Sequence, residues 1–203
     1  HGEQGLIGPD RFVPVAEITG LISDLGEWVL LEAARHCMRR GSAAPGRLAV
    51  NVSSLQLRTR DIVTTVRDVL ERTGLEPERL ELEITESAFV DETGELHERL
   101  RALRALGVAI AIDDFGTGYS SLQYLKRLPV DRLKIDRAFV QGIHGDADNR
   151  AIVATIVALA HQFGLALTAE GVETAAEATA LLELGCHYAQ GYYYAAPRLI
   201  ARE

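Results

Sequence analysis

The sequence has few cysteines and no long apolar run. Only two of its 203 residues are cysteines, Cys37 and Cys186, and they lie far apart in the chain. No CxxC, HxH or HExxH motif occurs, so neither a disulfide framework nor a zinc site is indicated. No apolar run approaches the roughly 18 residues that cross a membrane, and we expect no signal peptide within the given residues. We therefore expect a reducing, cytoplasmic compartment for this chain, with both cysteines as small buried side chains.

Basic residues are also fewer than acidic ones. The chain has 29 acidic and 21 basic residues, which gives a formal net charge of −8. A long nucleic acid needs a positively charged groove, so this balance argues against that class of partner. It does not exclude a small anionic ligand held through metal ions. The hydrophobic content of 47% and the length are ordinary for a globular domain with a full core.

Amphipathic helical stretches alternate with short apolar runs from about residue 23 onward. This alternation predicts an α/β protein with a parallel sheet. We predict six buried strands, at 48–52, 80–85, 108–112, 133–135, 165–169 and 188–193. Because no linker or composition shift interrupts the chain, residues 1–203 are predicted to form one domain. Two sheet arrangements stay open on this pattern, a doubly wound sheet and a closed (β/α)8 barrel.

Some helix signals also predict ends and faces. Thr174 and Glu177 form a capping box at the start of a helix that closes near Gly185. The stretch 149–163 is predicted as a helix that Gly164 ends. Its inward face would consist of Ile152, Ile156, Leu159 and Phe163.

Ionisable and amide side chains recur at the C-terminal ends of successive predicted strands. They are Asn51, Glu83, Glu86, Asp113, Asp114, Lys134, Asp136, Glu170, Glu173 and Gln190. In both candidate sheets this edge is where active sites are built. Several carboxylates on one rim repel each other, and oxygen-rich clusters suit Mg²⁺ or Mn²⁺. Two such ions close together are the usual device for hydrolysing a phosphodiester.

Most of these residues have a plainer interpretation as well. An acid after a strand is usually a helix cap or a solvated charge, and Glu170 could cap the helix near Thr174. Lys134 could be a salt-bridge partner or a cation near an attacking water, and the pattern does not decide. The glycine-rich loop 114–121 is neither a Walker A nor a GxGxxG motif. We interpret it as a loop beside the metal ligands, with Ser120 or Ser121 capping the next helix.

Taken in order, seven segments resemble the EAL domain, a bacterial family of phosphodiesterases that hydrolyse cyclic di-GMP to linear pGpG. The matching segments are 9–14, 49–53, 81–86, 112–121, 133–136, 169–173 and 190–192. The resemblance implies a (β/α)8 TIM-like barrel with one antiparallel strand near its start. It also implies a homodimer that forms next to the loop 114–121, and fusion to sensory or GGDEF-type domains in a longer protein.

The resemblance further implies a set of metal ligands. Asn51, Glu83 and Asp113 would bind the first metal ion, with Asp113 bridging to a second. Asp114 and Glu170 would belong to the second metal site. The ions would be Mg²⁺ or Mn²⁺.

Other roles also follow from the resemblance. Lys134 and Glu170 would position and activate the attacking water, with Asp136 close by. Glu86 would hold the loop 114–121 in its working shape. Two further residues would lie near a guanine of the substrate, Gln190 and Tyr194.

One departure from the family is large. The Glu-Ala-Leu tripeptide that names it is absent, and we expect the barrel in this chain to lack its first two strands. The absent glutamate would be a first-metal ligand. The chain begins with His1 rather than Met, as expected for part of a longer protein, which leaves membrane tethering of that protein open. Residues 1–203 alone are therefore expected to show little or no turnover.

Three functions remain open on the sequence. A metal-dependent cyclic di-GMP phosphodiesterase is favoured because the ligands on the later strands are all present. The alternative is a catalytically inactive receptor that binds the dinucleotide and signals to another domain. An enolase-type lyase, with metal carboxylates and a strand lysine, is disfavoured by the segment 113–121 and by Asn51.

Overall fold

The computed structural model describes residues 5, 7–41, 46–59, 62–89, 94–118 and 125–198. Helices and short strands alternate along these residues, as the sequence predicts. They divide into two compact units, His1–Ile84 with Glu92–Ala109 and Thr85–Asp91 with Ile110–Glu203. The organisation of residues 1–203 as one domain stays a prediction. None of the described helices is long and apolar enough to cross a membrane.

The first unit consists mainly of helices around a pair of parallel strands. Its elements are α1 (Pro9–Thr19), α2 (Ile22–Arg40), β1 (Leu48–Asn51), α3 (Ser54–Thr59), α4 (Ile62–Thr73), β2 (Leu80–Thr85) and α5 (Gly94–Ala105). Leu80, Leu82 and Ile84 on one face of β2 are completely buried, and Glu81 and Glu83 on the other face are buried too, as expected for a strand covered on both faces. The register of β1 and β2 places Asn51 opposite Glu83.

The second unit is a parallel sheet with helical crossovers. Its elements are β3 (Ala109–Phe115), β4 (Arg132–Ile135), α6 (Arg137–Val140), α7 (Ala147–Phe163), β5 (Ala166–Ala169), α8 (Ala175–Glu183) and β6 (Tyr188–Ala189). The strands follow chain order in the sheet from β3 to β6, and each pair is parallel. The carboxyl ends of these four strands therefore share one edge, which is where the predicted site residues of this unit lie.

Two strand boundaries differ from the prediction by more than one residue. Strand β3 runs three residues past Ile112 to Phe115, so it includes both aspartates that were expected to follow it. Strand β6 ends at Ala189 instead of continuing to residue 193. Beyond it the backbone turns, because Tyr193 donates its N–H to the carbonyl of Val172 at 3.0 Å.

The helix ends were predicted more accurately than the helix faces. The capping box of Thr174 and Glu177 is present, and Gly164 ends α7 in the left-handed conformation at φ 67°. The predicted inward face of α7 is wrong in part. Its buried residues are Val153, Ile156 and Ala160, whereas Ile152 is 38% exposed.

Candidate functional site

A bulge in β3 delivers two carboxylates to the edge of the sheet. Ile112 pairs with Leu133 and Phe115 with Ile135, so β3 has one more residue than β4 between these pairs. Such bulges redirect side chains and are frequent beside active sites. Asp113 is buried, and Asp114 adopts a left-handed backbone conformation with φ 54°. Aspartate tolerates this conformation better than most residues, but it costs free energy that the surrounding structure has to offset.

Lys134 on β4 lies between two of the predicted acids. Its Nζ atom is 3.0 Å from Oδ1 of Asp113 and 2.5 Å from Oε1 of Glu170. The lysine is only 3% exposed, so its charge needs such partners to be tolerated. Glu170 directly follows β5, and its N–H donates to the carbonyl of Ile135 at 3.1 Å. Neighbouring parallel strands thus bring the three side chains together.

Three carboxylates meet at this point. Asp113, Asp114 and Glu170 each offer an oxygen, and these oxygens lie within 4.8 Å of one another. Burial, the charge of Asp113 and a hydrogen bond with Asp136 together raise the pKa of Asp114 to about 6, against the opposing charge of Lys134. One lysine leaves this group of acids negatively charged overall. An all-oxygen donor set with excess negative charge fits a hard divalent cation such as Mg²⁺ or Mn²⁺.

Asp136 lies at the start of α6 and faces the same group. Its Oδ1 accepts a hydrogen bond from the N–H of Ala138 at 2.7 Å, which caps the helix. The same side chain shares a hydrogen bond with Asp114. This contact with Asp136 is one of the causes that raise the pKa of Asp114. Asp136 therefore caps α6 beside the site, and its catalytic role stays a prediction.

Glu86 is bound to the first part of the loop 114–121. Its buried carboxylate accepts hydrogen bonds from the N–H groups of Gly116 at 2.8 Å and Gly118 at 3.3 Å. A Cβ atom on Gly118 would lie only 2.7 Å from Oε1 of Glu86, so a side chain there would push the carboxylate away. The loop-holding role of Glu86 stays a prediction. Ser120 and Ser121, the expected helix caps, lie outside the described residues.

The other two predicted metal ligands belong to the first unit. Asn51 ends β1 and Glu83 lies opposite it on β2, and the N–H of Val52 donates to the Glu83 carbonyl at 2.8 Å. Glu83 is buried and Asn51 is exposed. The structure therefore brings these two ligands together as a pair. Their role as ligands of the first metal ion stays a prediction from the resemblance.

The two predicted guanine contacts lie at the end of β6. Nε2 of Gln190 donates to Oε1 of Glu170 at 2.6 Å, the same oxygen that contacts Lys134. Tyr194 is 55% exposed and packs edge to face on Tyr193, with ring centroids 5.1 Å apart. The bond between Gln190 and Glu170 was not predicted. The signal for it was the position of both residues at neighbouring strand ends.

Comparisons of the sequence with known proteins give one consistent family. The family model for the EAL domain matches residues 1–197. The bifunctional diguanylate cyclase/cyclic di-GMP phosphodiesterase MucR of Pseudomonas aeruginosa is 49% identical over 200 residues, covering 97% of this chain and 29% of MucR. The cyclic di-GMP phosphodiesterase NbdA of the same organism is 45% identical over 206 residues, covering 99% of this chain and 26% of NbdA. The chain thus spans less than a third of the length of these curated relatives.

Comparison with a solved structure shows the fold. The P. aeruginosa MucR phosphodiesterase in complex with c-di-GMP superposes with a TM-score of 0.91 at 48% identity. The match covers 97% of this chain and 81% of that chain. Together with the parallel strand pairs, it confirms the predicted α/β class and its TIM-like type.

Proposed function

Because the chain belongs to the EAL domain family, we propose that the protein is a phosphodiesterase that hydrolyses cyclic di-GMP to linear pGpG with divalent metal ions. The observation that carries this proposal is the buried lysine between two carboxylates, with a third acid beside them. The lysine charge lies beside the oxygens that would hold the metal ion, which is where the hydrolysis of a phosphodiester needs positive charge. The names of MucR and NbdA include the same activity, which supports the proposal.

The metal would be held by the carboxylates of the second unit. Asp113, Asp114 and Glu170 provide the oxygen donors that Mg²⁺ or Mn²⁺ prefers. The family resemblance adds Asn51 and Glu83 as further ligands. When bound, such an ion supplies positive charge that stabilises the negative charge developing on the phosphate.

The chain's own residues prepare the attack on the phosphodiester. Lys134 and Gln190 both donate to Oε1 of Glu170, which fixes the direction of that carboxylate. A carboxylate held in this way is suited to orient a water molecule and to accept its proton. The Lys134 ammonium also places a positive charge where the phosphate becomes more negative. Tyr194 offers an exposed aromatic ring on which a guanine can stack.

The direct test is a hydrolysis assay with cyclic di-GMP and Mg²⁺ or Mn²⁺. The full-length gene product should form pGpG, detected by liquid chromatography and mass spectrometry, and EDTA should stop the reaction. Asp113→Ala should abolish turnover, whereas Asp148→Ala, at an exposed position in the first turn of α7, should leave it unchanged. Binding of cyclic di-GMP without pGpG formation would show a receptor instead. Full activity of Asp113→Ala would contradict the proposed metal site.

The context of the chain is part of the same proposal. MucR and NbdA are longer proteins, so we expect this chain to act within a multidomain protein that carries sensory or GGDEF-type domains. We also expect a homodimer and a cytoplasmic site of action, in line with two free, buried cysteines. Analytical ultracentrifugation should give a mass twice that of the chain, and a monomer at all concentrations would contradict the dimer.

A further inference from the structure

Glu177 is a buried carboxylate beside the site, and the mechanism described above does not use it. It lies in the first turn of α8 and is 5% exposed. Its Oε1 accepts a hydrogen bond from the N–H of Gly142 at 2.9 Å. Its Oε2 accepts from the N–H groups of Glu173 at 2.9 Å and Thr174 at 3.0 Å. The two oxygens therefore join the segment after α6 to the loop that follows β5.

The hydrogen bonds keep Glu177 ionised. Burial raises the pKa of its carboxyl, but the backbone donors of Gly142, Glu173 and Thr174, with the Thr174 hydroxyl, outweigh burial and leave the pKa below its ordinary value. A charged acceptor makes shorter and stronger hydrogen bonds than a neutral one. A capping box alone requires only the bonds at the helix start, so the additional bond to Gly142 exceeds what capping α8 needs.

The loop joined by Glu177 is the one that begins with Glu170. We call residues 170–174 the Glu170 loop. At its start Glu170 donates to Ile135, and Val172 donates to the Gln190 carbonyl at 3.1 Å. Gly171 has φ 66°, and a Cβ atom there would lie 2.4 Å from Cβ of Arg137. The Glu170 loop is thus packed tightly at its first residues, and the Glu177 carboxylate holds its last two.

We infer that Glu177 is a positioning residue for Glu170, because the hydrogen bonds of its carboxylate fix the far end of the Glu170 loop to Gly142. Glu170 contacts Lys134 at 2.5 Å, so a small rotation of the loop would separate the two charges. Glu177 itself contacts neither Lys134 nor the group of three acids through any of its hydrogen bonds given above. Its effect on turnover therefore passes through the backbone of the loop, and the inference rests on the proposed role of Glu170.

The test uses Glu177→Gln with Glu183→Gln as the matched control. Glu183 lies in the same helix, and its exposed carboxylate pairs with Arg150 at 3.2 Å, away from the Glu170 loop. Hydrogen exchange of the metal-free protein should be about tenfold faster at the amides of Glu173 and Thr174 in Glu177→Gln. With metal and cyclic di-GMP, kcat should fall about tenfold or more while KM stays within about twofold. Glu183→Gln should match the wild type in both measurements.

Several results would overturn the inference. Wild-type exchange in Glu177→Gln would show that the carboxylate does not hold the loop. Faster exchange with unchanged kcat would show that the loop's position does not matter for turnover. If the wild type forms no pGpG, the proposed function fails, while the exchange experiment still decides whether Glu177 holds the loop. If Glu177→Gln does not fold, Glu177→Asp keeps the charge on a shorter side chain, and wild-type values for exchange and kcat in that variant would overturn the inference.

Discussion

Lys134 determines the charge balance of the site at the scale of single residues. It is one of only two lysines in the chain, and its ammonium contacts both Asp113 and Glu170. The sequence left two interpretations open for it, a salt-bridge partner and a cation near the reaction. The structure shows the salt bridges. Because they lie among the predicted metal ligands, Lys134 can be both a salt-bridge partner and a cation near the reaction. A divalent cation bound to the same acids would reduce the repulsion that Lys134 only partly offsets.

Replacing this lysine should destabilise the metal-free protein. In Lys134→Met the buried carboxylate of Asp113 and the half-buried carboxylate of Glu170 lose their counter-charge, which should cost about 3–5 kcal/mol of unfolding free energy. Turnover should also be lost. Added Mn²⁺ should raise the melting temperature of the variant more than that of the wild type, because the metal replaces the missing charge. Thermal denaturation with and without Mn²⁺ checks this.

The control for that experiment is the other lysine. Lys126 is exposed, so Lys126→Met should melt like the wild type with and without Mn²⁺. An unchanged melting temperature in Lys134→Met would contradict the importance of the two buried ion pairs.

Glu177 should make the stability of the protein depend on pH. Its folded-state pKa lies below the unfolded value of 4.5, so the ionised form stabilises the fold above that pH. This contribution is lost as the pH falls through the lower folded-state pKa. At pH 7, Glu177→Gln should be less stable than the wild type by about 1–3 kcal/mol, and the difference should shrink below about pH 4. Urea denaturation at several pH values measures it, and a difference that stays constant with pH would contradict this account.

Element boundaries show what the sequence can and cannot predict. The buried strands were recognisable because short apolar runs end at glycines or charged residues, and β2 matches its predicted range at both ends. The extension of β3 to Phe115 could not be recognised in the sequence. Its bulge arises from pairing with β4, and local residues do not encode that pairing. The buried face of α7 differs from the predicted one because Val153 packs inward. Which residues of a helix are buried depends on the elements that pack against it.

The same distinction holds for the site. The positions of Asp113, Lys134 and Glu170 were predictable because parallel strands place their carboxyl ends on one edge. Their partners were harder to predict. Glu177 and Gly142 lie 35 residues apart in the chain, and their contact depends on how two loops pack. Gln190 was placed near the site, but its bond to Glu170 required the register between β5 and β6.

The loop after β3 offers a test at the scale of elements. Gly118→Ala would introduce a Cβ atom 2.7 Å from Oε1 of Glu86, so the hydrogen bonds from Gly116 and Gly118 to that carboxylate should break. We expect turnover to fall about tenfold or more, because Asp114 lies at the start of this loop. Steady-state kinetics of the variant measures the effect.

Gly94→Ala is the matched control for this substitution. Gly94 begins α5, and a Cβ atom there would meet nothing within 4 Å, so turnover should not change. Equal activity in the two variants would contradict a role for the contact between Glu86 and this loop.

For the whole molecule, the net charge of −8 is explained in part by the acids of the site. It argues against a long nucleic acid, yet the proposed substrate is a dinucleotide with two phosphates. Part of the negative charge belongs to Asp113, Asp114 and Glu170, which gather within 4.8 Å of one another. Divalent ions bound at that point would reverse the local sign, so an acidic protein could accept the proposed anionic substrate there.

Glu170 distinguishes most directly between a centre that cleaves cyclic di-GMP and one that only binds it. The measurement is the rate of pGpG formation by Glu170→Gln and the wild type in the full-length gene product with Mn²⁺, alongside the affinity of each for cyclic di-GMP. We predict that the variant binds the dinucleotide within a few-fold of the wild type but forms pGpG about a thousandfold more slowly or not at all. Formation of pGpG at the wild-type rate by Glu170→Gln would contradict the account.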